Sequence, residues 1–137
     1  MRISCVQYTA EPDLAISEGR LYPLMNDAVT ARADVILLPE CALCLSSNQA
    51  ISRAQALTIE APEVHRLRYY AADHAVTLIV GSLIMATDQG VKNRTLVINP
   101  QGVIQATYDK IHLFDVDLAS GESYRESALF DAGSSPT

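Results

Sequence analysis

The chain has 137 residues, of which 49% are hydrophobic and 19% are charged, and its formal net charge is −6. This length and hydrophobic content suffice for one packed core and argue against intrinsic disorder. The 10 lysines and arginines are scattered along an acidic chain, which argues against a nucleic-acid partner. The apolar runs are far too short to cross a bilayer and the N-terminus lacks the layout of a signal peptide, so we expect a cytoplasmic protein without a membrane partner.

Strand and helix patterns alternate along the first part of the chain. Residues 2–8 alternate like a strand, and a helix should follow the turn at 11–13, with a kink or a break near Pro23. The apolar run 34–38 predicts a strand that is covered on both faces and ends at Glu40. Glu40 should therefore follow the carboxyl end of a buried strand, where α/β sheets tend to place ligand clefts.

The remainder of the chain predicts a mixed sheet with one clear helix. A loop or short helix should span 41–52, and a helix over 62–75 should bury one apolar stripe. Strands separated by turns are expected over four further segments, namely 77–80, 83–86, 95–99 and 103–107. The polar stretch after Lys110 is typical of a long loop over a site. These patterns indicate one domain of class α/β, with helices on one face of the sheet.

The three cysteines are expected to be free thiols, because disulfides are rare in the cytoplasm. Cys5 falls in the first strand pattern and is predicted to lie in the core. Cys41 and Cys44 form a C-x-x-C pair, a weak signal for redox chemistry or zinc, and the histidines show no ligand spacing that would complete a metal site. We therefore expect buried thiols, and neither a metal nor an organic cofactor.

Two short motifs carry the chemistry. Glu40 ends the segment Val-Ile-Leu-Leu-Pro-Glu (35–40), and Lys110 lies within Tyr-Asp-Lys-Ile-His-Leu-Phe-Asp (108–115). Both segments resemble the glutamate and lysine motifs of the nitrilase, or carbon-nitrogen hydrolase, superfamily. The lysine segment is most similar to that of the Nit-type amidase branch, which includes omega-amidases and deaminated glutathione amidases. Glu126, in Tyr-Arg-Glu-Ser (124–127), matches in its spacing from Lys110 another glutamate of that family.

The resemblance implies a fold. The family's domain is an α-β-β-α sandwich, in which two sheets face each other between helical layers. The resemblance runs from Arg2 to Gly133, so residues 1–137 are interpreted as the N-terminal part of a single carbon-nitrogen hydrolase domain. Because the sandwich needs strands from both halves, we expect this chain to leave sheet edges or a hydrophobic face uncovered.

The resemblance also implies an enzymatic activity. Members of the family hydrolyse non-peptide carbon-nitrogen bonds of small amides or nitriles through a Glu-Lys-Cys triad, commonly as homo-oligomers. By this resemblance Glu40 is the general base, Lys110 stabilises the oxyanion, and Glu126 helps to position the lysine and the substrate. The triad's cysteine is missing, since no cysteine follows Cys44, and this chain alone is expected to be inactive.

These roles lead to a geometric expectation. The carboxylates of Glu40 and Glu126 and the ammonium of Lys110 should converge around one concave site, and the pKa of Lys110 should be raised. Cys41 is not expected to replace the missing nucleophile, because adjacent residues of an extended segment point to opposite sides. Asn93, placed before a strand, is interpreted as a structural or pocket residue, and His112 is left without a role.

Two other classes of function stay open. The chain could be a non-catalytic, nitrilase-like interaction module that pairs with a complete relative. It could also be a redox protein that uses Cys41 and Cys44, which titration of a dithiol would reveal.

Overall fold

One five-stranded sheet with helices on one face organises the chain. The computed structural model describes residues 1–136. The strands are β1 (Ile3–Cys5), β2 (Val35–Leu37), β3 (Thr77–Thr87), β4 (Gly90–Ile98), β5 (Ile104–Asp109), β6 (Asp115–Asp117) and β7 (Ser123–Arg125). The helices are α1 (Leu14–Thr30), α2 (Gln49–Ala54) and α3 (Pro62–Asp73), and a 3-10 turn covers Glu126–Ala128. None of the helices in the described part is long and apolar enough to cross a membrane.

Strand direction decides which segments can meet. In the order β1-β2-β3-β4-β5, the pairs β1/β2 and β2/β3 are parallel, whereas β3/β4 and β4/β5 are antiparallel. It follows that β2, β3 and β5 run in one direction and β4 runs against them. The residues that follow β2 and β5, and those that begin β4, therefore lie toward the same edge of the sheet.

The main core lies between this sheet and the helices α1 and α3. Side chains alternate along a strand, so every second residue of the central strands points toward the helices. The fully buried members of this core include Leu21, Met25, Ile36, Val64, Leu67, Leu78 and Leu96. The mixed α/β class and the buried stripe of α3 are confirmed.

The opposite face of the sheet carries an apolar row. Its members are neighbours in register across all five strands and none of them is buried: Cys5, Leu37, Ile79, Val97 and Ala106. The prediction that Cys5 lies in the core is wrong, because its strand points this residue away from the helices. Within residues 1–136 the other sheet is the two-stranded β6/β7 pair. The expected uncovered hydrophobic face is present.

Helix α1 passes through Pro23 without a break. Asp13 caps its start by accepting a hydrogen bond from the Ile16 N–H at 3.0 Å, and the helix continues to Thr30. A proline inside a helix leaves the carbonyl four residues earlier without its donor, here that of Gly19. Both Pro23 and Gly19 are exposed, so water can satisfy that carbonyl, and the predicted break does not occur.

Three boundaries differ from the sequence prediction. β3 is one continuous strand with a bulge between Val80 and Leu83. Within this bulge Gly81 lies against the backbone of residues 38–39, where a Cβ would be 2.3 Å from the Leu38 carbonyl oxygen. The glycine therefore allows a close approach and does not end the strand. β4 begins at Gly90, so Asn93 lies inside a strand and not before one. The predicted long loop after Lys110 contains the β6/β7 hairpin, which an ion pair between Arg125 and Asp117 ties together at 2.7 Å.

Candidate active site

Glu40 lies on a strained turn shortly after β2. Cys41 has a φ of 51°, in the left-handed region that non-glycine residues rarely adopt. The Cys41 N–H donates to Ser82 Oγ at 2.8 Å and the Ala42 N–H donates to the Ser82 carbonyl at 2.8 Å, which fixes the turn on β3. Cys41 is consequently buried, while the side chain of Glu40 is 55% exposed at the edge of the sheet.

Lys110 follows β5 and reaches both predicted carboxylates. Its Nζ lies 2.9 Å from Glu40 Oε1 and 2.9 Å from Glu126 Oε2. Asn93 joins the same cluster, since its Nδ2 donates to Glu40 Oε1 at 2.7 Å. The structure therefore brings together the three charged residues that the sequence singled out, and Asn93, interpreted from the sequence as a structural or pocket residue, contacts one of them.

The charges in this cluster support one another. Partial burial alone would raise the pKa of Glu40, but the hydrogen bonds from Lys110 and Asn93 outweigh it and leave the pKa lowered. Partial burial alone would lower the pKa of Lys110, but the hydrogen bonds to Glu126 and Glu40 leave it raised, as expected. Glu40 is therefore an anion that can accept a proton, and Lys110 is a fixed cation, at neutral pH.

Glu126 is held through the backbone of the hairpin. Its Oε2 accepts a hydrogen bond from the Phe114 N–H at 2.7 Å, and its own N–H donates to the Phe114 carbonyl at 3.2 Å. Asp115 accepts hydrogen bonds from the Ser127 N–H at 3.0 Å and the Ser127 hydroxyl at 2.5 Å. These contacts fix the Glu126 carboxylate beside the Lys110 ammonium.

Helix α2 contacts the backbone of residues 125–129, the segment that carries Glu126. No motif of the sequence indicates these contacts. Gln49 Nε2 donates to the Arg125 carbonyl at 3.2 Å. Arg53 Nη2 donates to the carbonyls of Ala128 at 3.2 Å and of Leu129 at 3.3 Å. Because the acceptors are backbone carbonyls, no residue type on the hairpin side marks the contact in the sequence.

A cleft of about 590 Å³ adjoins the cluster between the 41–52 segment and the β6/β7 hairpin. Its lining includes Cys41, Cys44, Phe114, Tyr124 and Glu126. Glu40 and Lys110 are not part of that lining. The charged groups thus converge as expected, but only Glu126 faces this concave surface.

The remaining candidates contribute little to the cluster. Burial raises the pKa of both thiols in the C-x-x-C pair, that of Cys41 to about 12, so both stay protonated at neutral pH. His112 is exposed, and none of the described contacts connects it to the three charged groups. No cluster of three or more His, Cys, Asp or Glu side chains suited to a metal ion occurs within residues 1–136.

Comparison with known proteins gives consistent matches along the chain. Residues 2–137 match the carbon-nitrogen hydrolase family. The chain is 32% identical to a deaminated glutathione amidase from Synechocystis sp. over 95% of its length, and 28% identical to an omega-amidase from Xenopus tropicalis over 98%. It spans about half of each relative, 48% in both cases. A carbon-nitrogen hydrolase superfamily protein from Xanthomonas campestris is similar in structure, with a TM-score of 0.79 and 31% identity over 98% of this chain and 47% of that one.

Proposed function

The chain belongs to the carbon-nitrogen hydrolase family, and we propose that the protein carrying it hydrolyses the carbon-nitrogen bond of a small amide. One observation carries this proposal. The Glu40 carboxylate and the Lys110 ammonium lie 2.9 Å apart at one edge of the sheet, and the Glu126 carboxylate contacts the same ammonium at 2.9 Å. This arrangement supplies a proton acceptor and a fixed positive charge at one point.

In the proposed reaction Glu40 takes the proton of an attacking cysteine thiol, and the sulfur bonds to the amide carbon. The oxyanion that develops is stabilised by the Lys110 ammonium. The carbon-nitrogen bond then breaks, and the leaving amine takes the proton from Glu40. In the second half of the reaction, the oxygen of a water molecule bonds to the thioester carbon while the water gives a proton to Glu40. The carbon-sulfur bond then breaks, and the cysteine thiolate takes that proton back from Glu40.

The attacking thiol in this proposal belongs to the family's third motif, which residues 1–137 do not contain. Cys41 and Cys44 do not fit the role, because both thiols are buried and their pKa values are raised. The same property weighs against the redox alternative, which requires an accessible thiolate. We therefore propose that residues 1–137 alone do not turn over an amide.

The proposed substrate is a small amide, since both relatives named above are amidases, and an omega-amide is proposed first because one of them is an omega-amidase. A nitrile is the second substrate class, because its carbon can accept the same thiolate attack. We further propose that the full-length protein is a cytoplasmic homo-oligomer. The substrate classes and the oligomeric state rest on the family resemblance, whereas the location rests on the sequence pattern alone.

A non-catalytic interaction module is the second candidate function, and the apolar row of Cys5, Leu37, Ile79, Val97 and Ala106 favours it. A half-exposed sheet face of this kind is suited to pair with another protein surface. The two candidates differ in one respect. A module would tolerate loss of the Glu40 charge, whereas a hydrolase would not.

The test is ammonia release from α-ketoglutaramate by the full-length protein encoded by the gene, beside residues 1–137 alone. We expect turnover by the first and none by the second. Turnover by residues 1–137 that disappears in Cys41→Ala or Cys44→Ala would show that a local thiol is the nucleophile. The variant Lys110→Ala should lose most activity, and Glu122→Gln, at an exposed hairpin residue, should keep it.

A further inference from the structure

Glu40 uses only one of its two carboxylate oxygens in the cluster. Oε1 accepts from Asn93 Nδ2 at 2.7 Å and from Lys110 Nζ at 2.9 Å. No donor to Oε2 occurs among the described residues. The two oxygens are therefore chemically different, although they belong to one carboxylate.

Burial shows which residue of the Asn93–Glu40 pair is fixed. Asn93 lies inside β4 and is 4% exposed, whereas the side chain of Glu40 is 55% exposed on its turn. An exposed glutamate samples several rotamers, and a buried strand residue does not. The amide of Asn93 therefore holds the carboxylate, and not the reverse.

Asn93 also fixes the backbone of the lysine. Its carbonyl accepts a hydrogen bond from the Lys110 N–H at 2.9 Å, one step beyond the last paired residues of β4 and β5. One residue thus ties the side chain of Glu40 and the main chain of Lys110 to the same point of the sheet. Its amide must present Nδ2 to Glu40, because an ionised carboxylate only accepts hydrogen bonds.

We infer that Asn93 is a positioning residue, which anchors Glu40 through Oε1 and leaves Oε2 as the atom that carries the proton in catalysis. The catalytic part of this inference rests on the proposed function, whereas the anchoring stands on the geometry alone. Two donors on Oε1 lower the proton affinity of that oxygen, so protonation is directed to Oε2. An amide suits this task, since an aspartate would repel Glu40 and an aliphatic residue would offer no donor.

The first test needs no variant of Asn93. Hydrogen bonding to an ionising carboxylate makes the Asn93 side-chain amide a reporter of Glu40 in an NMR titration of the full-length protein. We expect its ¹H and ¹⁵N shifts to follow the titration of Glu40, and this dependence to vanish in Glu40→Gln. Asn93 amide signals that do not change with pH in the unmodified protein would overturn the inference.

The second test changes the anchor. Asn93→Ala should raise the pKa of Glu40 by about one unit, as expected for a lost hydrogen bond to a charged group. Asn93→Asp, which keeps the size of the side chain, should raise the pKa of Glu40 further, because the two carboxylates repel each other. Lys110 and Glu126 are unchanged in this variant. Asn99→Ala is the matched control, because the Asn99 side chain caps the β4/β5 turn through the N–H groups of Gln101 and Val103.

The two readouts separate the inference from the proposed function. If Asn93 positions the base, the acid limb of the pH profile of kcat/KM in Asn93→Asp should move to higher pH together with the pKa of Glu40 measured by NMR. The kcat of this variant should also fall. The pH profile of Asn99→Ala should match that of the unmodified protein. Shifted NMR values in a protein without amidase activity would contradict the proposed function and leave the anchoring intact. Unshifted values for Glu40 in both Asn93 variants would contradict the anchoring itself.

Discussion

Lys110 lies between two carboxylates, and their hydrogen bonds outweigh the effect of its partial burial. Burial by itself would lower the pKa of the ammonium, but the bonds to Glu126 and Glu40 leave it raised. A raised pKa in the folded state stabilises the fold below the unfolded-state pKa, and this contribution is lost as the pH rises through the folded-state value. The charge that the proposed oxyanion needs is therefore fully present at neutral pH.

Replacement of Glu126 should lower the pKa of the Lys110 ammonium. In Glu126→Gln one of the two anionic partners is lost, so the pKa of Lys110 should fall toward that of free lysine, about 10.4. NMR titration of the Lys110 Nζ would show the change directly. The variant should also lose less stability than the unmodified protein as the pH rises from the unfolded-state pKa of lysine, about 10.4, through the raised folded-state pKa of Lys110. Glu122→Gln should leave both curves unchanged, and an unaltered Lys110 titration in Glu126→Gln would contradict the paired-carboxylate arrangement.

The sequence identifies the charged residues of the site but not the residue that orients them. Glu40, Lys110 and Glu126 are recognisable because their neighbours form motifs. Asn93 receives only a structural or pocket role from the sequence, since the strand that carries it is expected to begin at Thr95 and not at Gly90. Its contact with Glu40 joins residues 53 positions apart, and local patterns give no information at that distance.

At the scale of elements, α2 fixes the segment that carries Glu126. Two long side chains of this 6-residue helix, Gln49 and Arg53, reach the backbone carbonyls of the 125–129 segment. The sequence predicts a loop or short helix here without defining its ends. The contribution of α2 to the site is therefore visible only in the folded chain.

Loss of the arginine should loosen this segment. In Arg53→Ala the carbonyls of Ala128 and Leu129 lose their donor, and amide hydrogen exchange over residues 123–130 should accelerate about fivefold, for a hydrogen bond worth about 1 kcal/mol. Arg20→Ala, on the exposed side of α1, should change nothing there. Unchanged exchange in Arg53→Ala would mean that the hydrogen bonds of Arg53 do not hold this segment in place.

Element types are predictable from the sequence, and their limits are set by contacts from outside the element. The alternation of apolar residues predicts the sheet and the stripe of α3. The predicted break at Gly81 is wrong because the glycine accommodates the backbone at 38–39 and does not end the strand. Of the kink or break predicted near Pro23, the break is wrong, because α1 continues to Thr30 and the exposed position of Gly19 leaves its carbonyl open to water.

At the scale of the whole molecule, the sheet presents an apolar face that the described helices do not cover. Leu37, Ile79 and Val97 form its centre and are partly exposed. Full burial of one such side chain is worth roughly 1.5–3 kcal/mol. A surface with this property favours association, and the family's two-sheet sandwich provides a partner sheet for it.

Residues 1–137 on their own should therefore self-associate and bind a hydrophobic dye. The double variant Ile79→Thr, Val97→Thr should weaken both effects, since threonine keeps the strand propensity and lowers the apolar area. Val103→Thr, at an exposed residue near the β4/β5 turn, is the control. A monomer in sedimentation at micromolar concentration that also fails to bind the dye would contradict the inference that this apolar face lacks a covering surface.

The role of Glu40 as the base is tested by the rate of amide hydrolysis by the full-length protein when Glu40 is replaced by glutamine. Glutamine keeps the size of the side chain and can still hydrogen-bond to Lys110, but it cannot accept a proton from a thiol. We expect kcat/KM for ammonia release to fall roughly 10²–10⁴-fold in Glu40→Gln, as is usual for loss of a general base. A Glu40→Gln protein that hydrolyses the amide at the unmodified rate would contradict the assignment of Glu40 as the base.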